Sequence, residues 1–192
     1  SGKGVSLVLP TLLSWKESAI VLDIKGENYA LTSGWRAAQG QNVLCFSPAS
    51  LTGSVRYNPL AEIRIGTLHE IADCQNIAMM LIDPDGKGLK DYWMQAGFEW
   101  LASAVLHVLY RMRLKEKRTA TLTDLLNFMS IGDVDLEDMV EGDDDFEKLL
   151  KAMEEFDHGS ESVNEQVRRG ASGMRKKAGS ERSGVHSSAK VQ

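Results

Sequence analysis

Residues 1–28 read SGKGVSLVLPTLLSWKESAIVLDIKGEN, and the fold turns on how this stretch is parsed. Ser1-Gly2-Lys3-Gly4 is a glycine-flanked lysine followed at once by an apolar run through Val5, Val8, Leu12 and Leu13. Glycine lets a backbone turn its N–H groups inward around a phosphate, and one lysine can reach the terminal phosphates. The full phosphate-loop pattern is G-x-x-x-x-G-K-[ST] ahead of a helix. Only its second half stands here, and alone such a triplet is common in ordinary turns. Position strengthens it, because the helix is followed by SAIVLDI over Ser18–Ile24, a continuous aliphatic run that predicts a strand buried on both faces.

Outward from there, Asn28–Gln39 predicts a short helix ended by Gly40. Asn42–Phe46 (NVLCF) predicts a second buried strand, stopped by Ser47-Pro48. Helix, strand, helix, strand is the rhythm of an α/β domain. After Pro59 no strand pattern returns. Thr67 and Glu70 predict a capping box at the head of a helix. Asp91–Arg113 is the clearest amphipathic helix, with Phe98, Leu101, Ala102, Val105, Val108, Leu109 and Met112 on one side. Thr121 or Thr123 caps a further helix through Met129, and Asp144–Phe156 supports another. Gly170–Ser188, rich in glycine, serine and base, predicts a mobile or loop-like stretch, with helix open across Val163–Met174. The expected organisation is an α/β domain over residues 1–61, an all-α insertion over 62–178 and a return segment over 179–192.

Composition narrows the function. Of 192 residues, 43% are hydrophobic and 26% charged, values ordinary for a globular chain. No apolar stretch is long enough to span a membrane as a helix. The formal net charge of −5 hides an asymmetry. Gly132–Asp157 holds twelve acids against Lys148 and Lys151, a net of −10, whereas Glu165–Gln192 holds seven bases against two acids, a net of +5. The acidic run, centred on Asp143, Asp144 and Asp145, is a solvated face or a docking surface for a basic partner. Arg168, Arg169, Arg175, Lys176 and Lys177 can neutralise DNA phosphates, or are a solvated basic segment; no aromatic residue interleaves with them in sequence for base stacking. Cys45 and Cys74 have no partners at metal spacing and are expected to be reduced thiols. His69, His107, His158 and His186 form no spaced cluster, so no metal site is expected.

At the phosphate turn, Gly4 stands where the pattern places a Ser or Thr hydroxyl for Mg²⁺. Asp23 ends the first predicted strand, where α/β sheets place ligands; it is a nucleotide-site residue or a carboxylate capping the next turn. Because Ile24 rather than a second acid follows it, Asp23 is not taken as the acid of a hydrolytic strand. Trp93 and Trp100, seven apart, are expected on one packed helix face, with Met79, Met80, Met94 and Met112 as core filling.

In order along the chain, Ser1-Gly2-Lys3-Gly4-Val5, Pro10-Thr11-Leu12-Leu13, Val21-Leu22-Asp23-Ile24-Lys25-Gly26-Glu27-Asn28, Trp35-Arg36, Phe46-Ser47-Pro48, Tyr57-Asn58-Pro59-Leu60, Asp83-Pro84-Asp85-Gly86 and Glu181-Arg182-Ser183-Gly184-Val185 resemble the landmarks of the TraG-like branch of the type IV secretion coupling-protein family. The resemblance implies α/β architecture: part of a RecA-like P-loop nucleotide-binding domain interrupted by an all-α domain. It implies an ATPase, using ATP and Mg²⁺, that works as a homo-hexamer at the cytoplasmic face of the bacterial inner membrane and drives conjugative DNA transfer. The implied partners are relaxase and relaxosome accessory proteins, the secretion channel and single-stranded DNA. Gly2, Lys3, Gly4 and Asp23 would fall at the nucleotide. The family's membrane helices would precede Ser1 and its catalytic acids follow Gln192, so no catalytic residue and little ATPase activity are expected in this stretch. The alternative is a module that recognises relaxase or accessory protein without activity of its own.

Overall fold

A computed structural model describes residues 2–130 and 145–190, and divides the chain into two units, Ser1–Tyr57 and Asn58–Gln192.

In the first unit a π-helical turn over Gly4–Val8 runs into α1 (Leu9–Ser14), with Pro10 in the first turn, where its missing N–H costs nothing. α2 spans Glu27–Ala38 and packs on α1. Its start is set by Gly26, whose φ of 72° only glycine adopts freely. The link between the helices is Arg36, which is buried. Its guanidinium donates to the carbonyls of Leu12 at 2.7 Å, Trp15 at 3.0 Å and Glu17 at 3.2 Å. Leu12 and Trp15 lie at the end of α1, where carbonyls are left open, and Glu17 just beyond it; a planar fork of donors suits all three.

The expected α/β architecture is not formed. Among the described residues there is no strand, and all regular structure is helical. The runs Ser18–Ile24 and Asn42–Phe46 are irregular, and neither makes a ladder with the other. A strand of a two-sided sheet needs paired neighbours for its backbone and helices over both faces. Here Ile20 and Leu22 stand at 104% and 87% relative exposure. An aliphatic run signals a preference for extended backbone, but pairing comes from partner strands, and residues 2–57 bring none together.

The second unit is a helical bundle. Asn58 opens it: its side chain accepts from Leu60 N–H at 3.2 Å and donates to the Ala120 carbonyl at 2.8 Å, pinning the turn over Pro59–Glu62 against a distant part of the chain. Then follow α3 (Glu70–Ile82), α4 (Tyr92–Arg111), a π-helical extension over Met112–Glu116, α5 (Leu122–Met129), α6 (Asp145–Glu155), α7 (Glu161–Arg175) and α8 (Gly179–Ala189). Every residue from Trp100 to Tyr110 of α4 is buried. A helix apolar all round belongs in the middle of a core, and α3, α5, α7 and α8 all pack on α4. Asp91 caps α4 by accepting from Met94 N–H at 2.9 Å. Thr121 and Asp124 form a reciprocal capping box on α5.

Three local expectations change. Thr67 and Glu70 do not box α3: the Thr67 hydroxyl accepts from His69 N–H, Glu70 accepts from Gly66 N–H at 2.7 Å, and the helix begins later, at Glu70. Gly170–Ser188 is not loop-like, since α7 and α8 cover most of it. Two of its glycines, Gly170 and Gly184, mark close crossings instead. A Cβ on Gly170 would lie 2.1 Å from Ser103 Oγ of α4, and one on Gly184 would lie 2.7 Å from the Trp93 ring. Finally, Trp100 is buried but Trp93 and Met80 are well exposed, so only part of the aromatic and methionine set fills the core.

Candidate functional site

Gly2 and Lys3 lead into the Gly4–Val8 helix, with Lys3 as its N-cap and Gly4 as its first residue. Lys3 has right-handed helical φ and ψ of −56° and −39°, and Ser6 N–H already donates to the Gly2 carbonyl at 2.9 Å. Lys3 is exposed, and a Cβ at Gly4 would meet nothing within 4 Å. An exposed cation at the head of a helix suits a phosphate, because first-turn N–H groups have no partner within the helix. The same residues suit Mg²⁺ poorly. Gly4 brings no hydroxyl, and both oxygens of Asp23 are engaged: Oδ2 accepts from Tyr29 N–H at 2.8 Å and Oδ1 from Asn28 Nδ2 at 3.2 Å. Asp23 thus caps the start of α2.

Of the acidic trio, Asp143 and Asp144 lie outside the described residues. Asp145 is exposed in the first turn of α6, where a carboxylate favours the helix dipole, and sits 3.7 Å from Lys148.

The basic segment is folded onto α7 and just past its end. Arg168 donates to the Glu154 carbonyl at 3.2 Å and faces Glu161 at 3.5 Å. Arg175 is half-buried and engaged: it bridges Glu147 at 2.7 Å and Glu154 at 2.6 Å, and Arg182 of α8 meets the same Glu147 at 2.8 Å. That network ties α6, α7 and α8. Arg169 makes only an open i,i+4 pair with Glu165 at 3.2 Å, and Lys176 is exposed. Lys177 pairs with Glu181 at 3.1 Å, hydrogen-bonds the Tyr92 hydroxyl and lies 5.0 Å from the centre of the Tyr92 ring. Those contacts raise its pKa, the hydrogen bond to Tyr92 most, so it stays cationic at neutral pH.

Two features were hidden in sequence. Tyr92 and Trp93, 85 positions or so upstream of the basic segment, form an exposed edge-to-face pair at 5.5 Å beside Lys177. A groove of about 370 Å³ also runs between α3, α4 and α7, with Arg169, Gly173 and Lys177 on one wall and Gln75 and Glu99 opposite. The histidines gave another surprise. His107 and His158 meet in the core at 3.0 Å, although no spacing rule links them. No group of three or more metal-ligating side chains occurs among the described residues. Cys74 is buried and its thiol is pushed up to about 12, chiefly by burial, so it is an inert core residue. Among the described residues no helix is long and apolar enough to cross a membrane.

The profile of the family described as "Type IV secretory system Conjugative DNA transfer" matches residues 1–192. Conjugal transfer protein TraG from Escherichia coli is 52% identical over 123 residues, which is 64% of this chain and 19% of that protein. Protein VirD4 from Rhizobium radiobacter is 39% identical over 94 residues, 48% of this chain and 14% of that protein. The aligned stretches thus cover a fifth or less of these relatives' length. No solved structure matches the chain. With the profile matched from end to end and both relatives agreeing, the chain belongs to the conjugative coupling-protein family of type IV secretion systems.

Proposed function

We propose that this chain is the substrate-receiving stretch of a coupling protein that links relaxase-bound DNA to a type IV secretion channel, and whose intact form drives transfer by ATP hydrolysis. The observation that carries this is the end-to-end family match, joined to a second unit that closes a core of its own around α4. A lobe with an independent core can present a recognition surface without help from a nucleotide site. On this reading relaxase and its accessory proteins dock on the helical unit, and the working protein is a homo-hexamer at the cytoplasmic face of the inner membrane.

ATP would meet Lys3, which neutralises charge on the terminal phosphates, and the N–H groups of the first helical turn. Binding a phosphate is all these residues do; the Mg²⁺ ligand and the acid that orients water are not among Gly2, Lys3, Gly4 and Asp23. The chain by itself therefore turns over little or no ATP.

The test is capture of purified relaxase by the immobilised chain across a salt series. Binding that exceeds capture of a size-matched basic protein is expected, and equal capture of both would remove the recognition role. In parallel, ATP turnover by the chain that vanishes in Lys3→Ala would show the chain to be an enzyme in its own right.

A further inference from the structure

Residues 111–118 read RMRLKEKR, with Arg111, Arg113, Lys115, Lys117 and Arg118 against Glu116, five bases to one acid and a net of +4. The run forms the end of α4 and the π-helical turn over Met112–Glu116. Bases at this place offset the negative end of a helix dipole, which accounts for their sign. It does not account for the backbone. Lys117 follows the turn with φ of 57° and ψ of 31°, and among the described residues no other side-chain-bearing residue has a positive φ. That left-handed position at a helix end favours glycine, because a Cβ crowds the backbone there. Lys117 N–H closes the turn on the Met112 carbonyl, and Arg118 locks it, forking Asp124 with two bonds of 2.7 Å and reaching Met112 Sδ at 3.4 Å. A lysine is thus held where glycine would sit with less strain. Strained positions and π turns gather where a side chain serves something outside the fold.

Not every base of the run is open to a partner. Arg118 also neutralises Glu116 at 2.7 Å, and Lys115 lies 6.0 Å from the centre of the Phe156 ring. Arg113 and Lys117 are exposed, and among the described residues neither has an ion pair. Between them Leu114 is 38% exposed. Tyr110, one turn back, donates to Glu70 at 2.7 Å, and two residues ahead of Glu70 stands Leu68, fully exposed. This end of the second unit presents two uncommitted cations beside bare leucines.

We propose that the turn from Arg113 to Lys117 is a docking site for an acidic peptide segment of a partner protein. Carboxylates of the segment meet Arg113 and Lys117, and an apolar side chain meets Leu114. Charge complementarity sets the sign of the occupant. The leucine sets its class, since aliphatic surface gives nothing to a phosphate backbone, and residues 111–118 hold no aromatic ring on which a base could stack. The left-handed backbone fixes where the Lys117 side chain leaves the turn, which limits the freedom that docking would otherwise take away. The inference rests on the reading of the helical unit as a recognition lobe and adds the chemistry of one partner.

The experiment is anisotropy titration with the 192-residue chain. The probe is a labelled peptide of about twelve residues, glutamate and leucine in a ratio of about two to one. Arg113→Glu and Lys117→Glu are each expected to weaken binding about tenfold, and Leu114→Ser about threefold. Lys117→Gly separates function from fold: the cation goes while the backbone relaxes, so binding weakens about threefold as the melting temperature rises by about 2–4 °C. The same rise with affinity unchanged would give Lys117 a purely local role and overturn the proposal. Lys16→Glu, in the first unit, makes the same charge change as Lys117→Glu and should leave affinity within about twofold. A peptide with glutamine in place of every glutamate should not bind. Absence of binding by the parent chain, or binding that Arg113→Glu and Lys117→Glu both keep, overturns the assignment; relaxase capture retained alongside leaves the coupling reading standing. Tighter binding of an oligothymidylate than of the peptide, lost in Arg113→Glu and Lys117→Glu but kept in Leu114→Ser, would make the turn a nucleic-acid contact and overturn it as well.

Discussion

Nδ1 of His107, on α4, lies 3.0 Å from Nε2 of His158, in the loop ahead of α7, and both rings are buried. Asn164 decides which way the protons point. Its Oδ1 accepts from the backbone N–H of His158 at 2.8 Å, so it is an acceptor, and the ring Nδ1 of His158 at 2.8 Å must donate to it. Nε2 of His158 is then bare and accepts from His107. The bond holds only while His158 is neutral.

That arrangement predicts acid sensitivity. Burial holds the pKa values of His107 and His158 below the ordinary histidine value, and His107 is depressed further by His158, Arg111 and Lys115. The unfolded chain therefore binds protons near pH 6.5 that the folded chain refuses. Stability is fully present above that pH and falls as pH drops, by up to about 1.4 kcal/mol per pH unit for each histidine. Urea midpoints between pH 8 and pH 5 measure it. His158→Gln should flatten the slope, and an unchanged slope would show that other groups govern it.

Close crossing at Gly170 predicts a position-specific cost. Gly170→Ala brings a Cβ to within 2.1 Å of Ser103 Oγ, so α7 must lift off α4, costing about 1–3 kcal/mol. Gly173→Ala, three residues on in the same helix, meets nothing and should stabilise by a few tenths to about 1 kcal/mol. Ser103→Gly should restore most of the loss in the first case. Chemical denaturation of the four proteins decides it.

The Thr121–Asp124 box predicts a smaller, local effect. Thr121→Ala removes the hydroxyl that accepts from Asp124 N–H and costs about 1 kcal/mol. Asp124 is kept ionised far into acid, first by the Arg118 fork, whose two bonds are both 2.7 Å. Its contribution is present above the ordinary carboxylate pKa and is lost only as pH falls through the depressed one, well below the histidine transition.

In the first unit, Arg36→Ala and Arg36→Lys should both free the end of α1. An ammonium cannot reach three carbonyls as a planar guanidinium does. Hydrogen exchange is expected to speed up over residues 9–38, with the amides of α4 unchanged. Equal protection in Arg36→Lys would show that charge alone suffices.

Helices were legible wherever a period and a cap coincided. Asp91 stands before the 20-residue α4, and of Thr121 and Thr123 it is Thr121 that caps α5. Extended runs were misread because Ser18–Ile24 carries the composition of a sheet strand, while sheet formation depends on neighbours that composition does not name. Gly170 and Gly184 were misread as flexibility for a related reason. Glycine serves both a loose chain and a tight crossing, and only the facing residue, Ser103 or Trp93, tells them apart. Tyr92 lay too far from Lys177 in the chain for any spacing rule to join them, as did His107 from His158.

α4 is packed by α3, α5, α7 and α8, and every residue along Trp100–Tyr110 is buried. An axle held on every side has no room to turn or slide by itself, since packed cores resist gradual deformation. Any mechanical message from a cargo seated on the second unit must then pass as a displacement of the entire lobe, like a lever moved whole, and not as a reshuffling inside it.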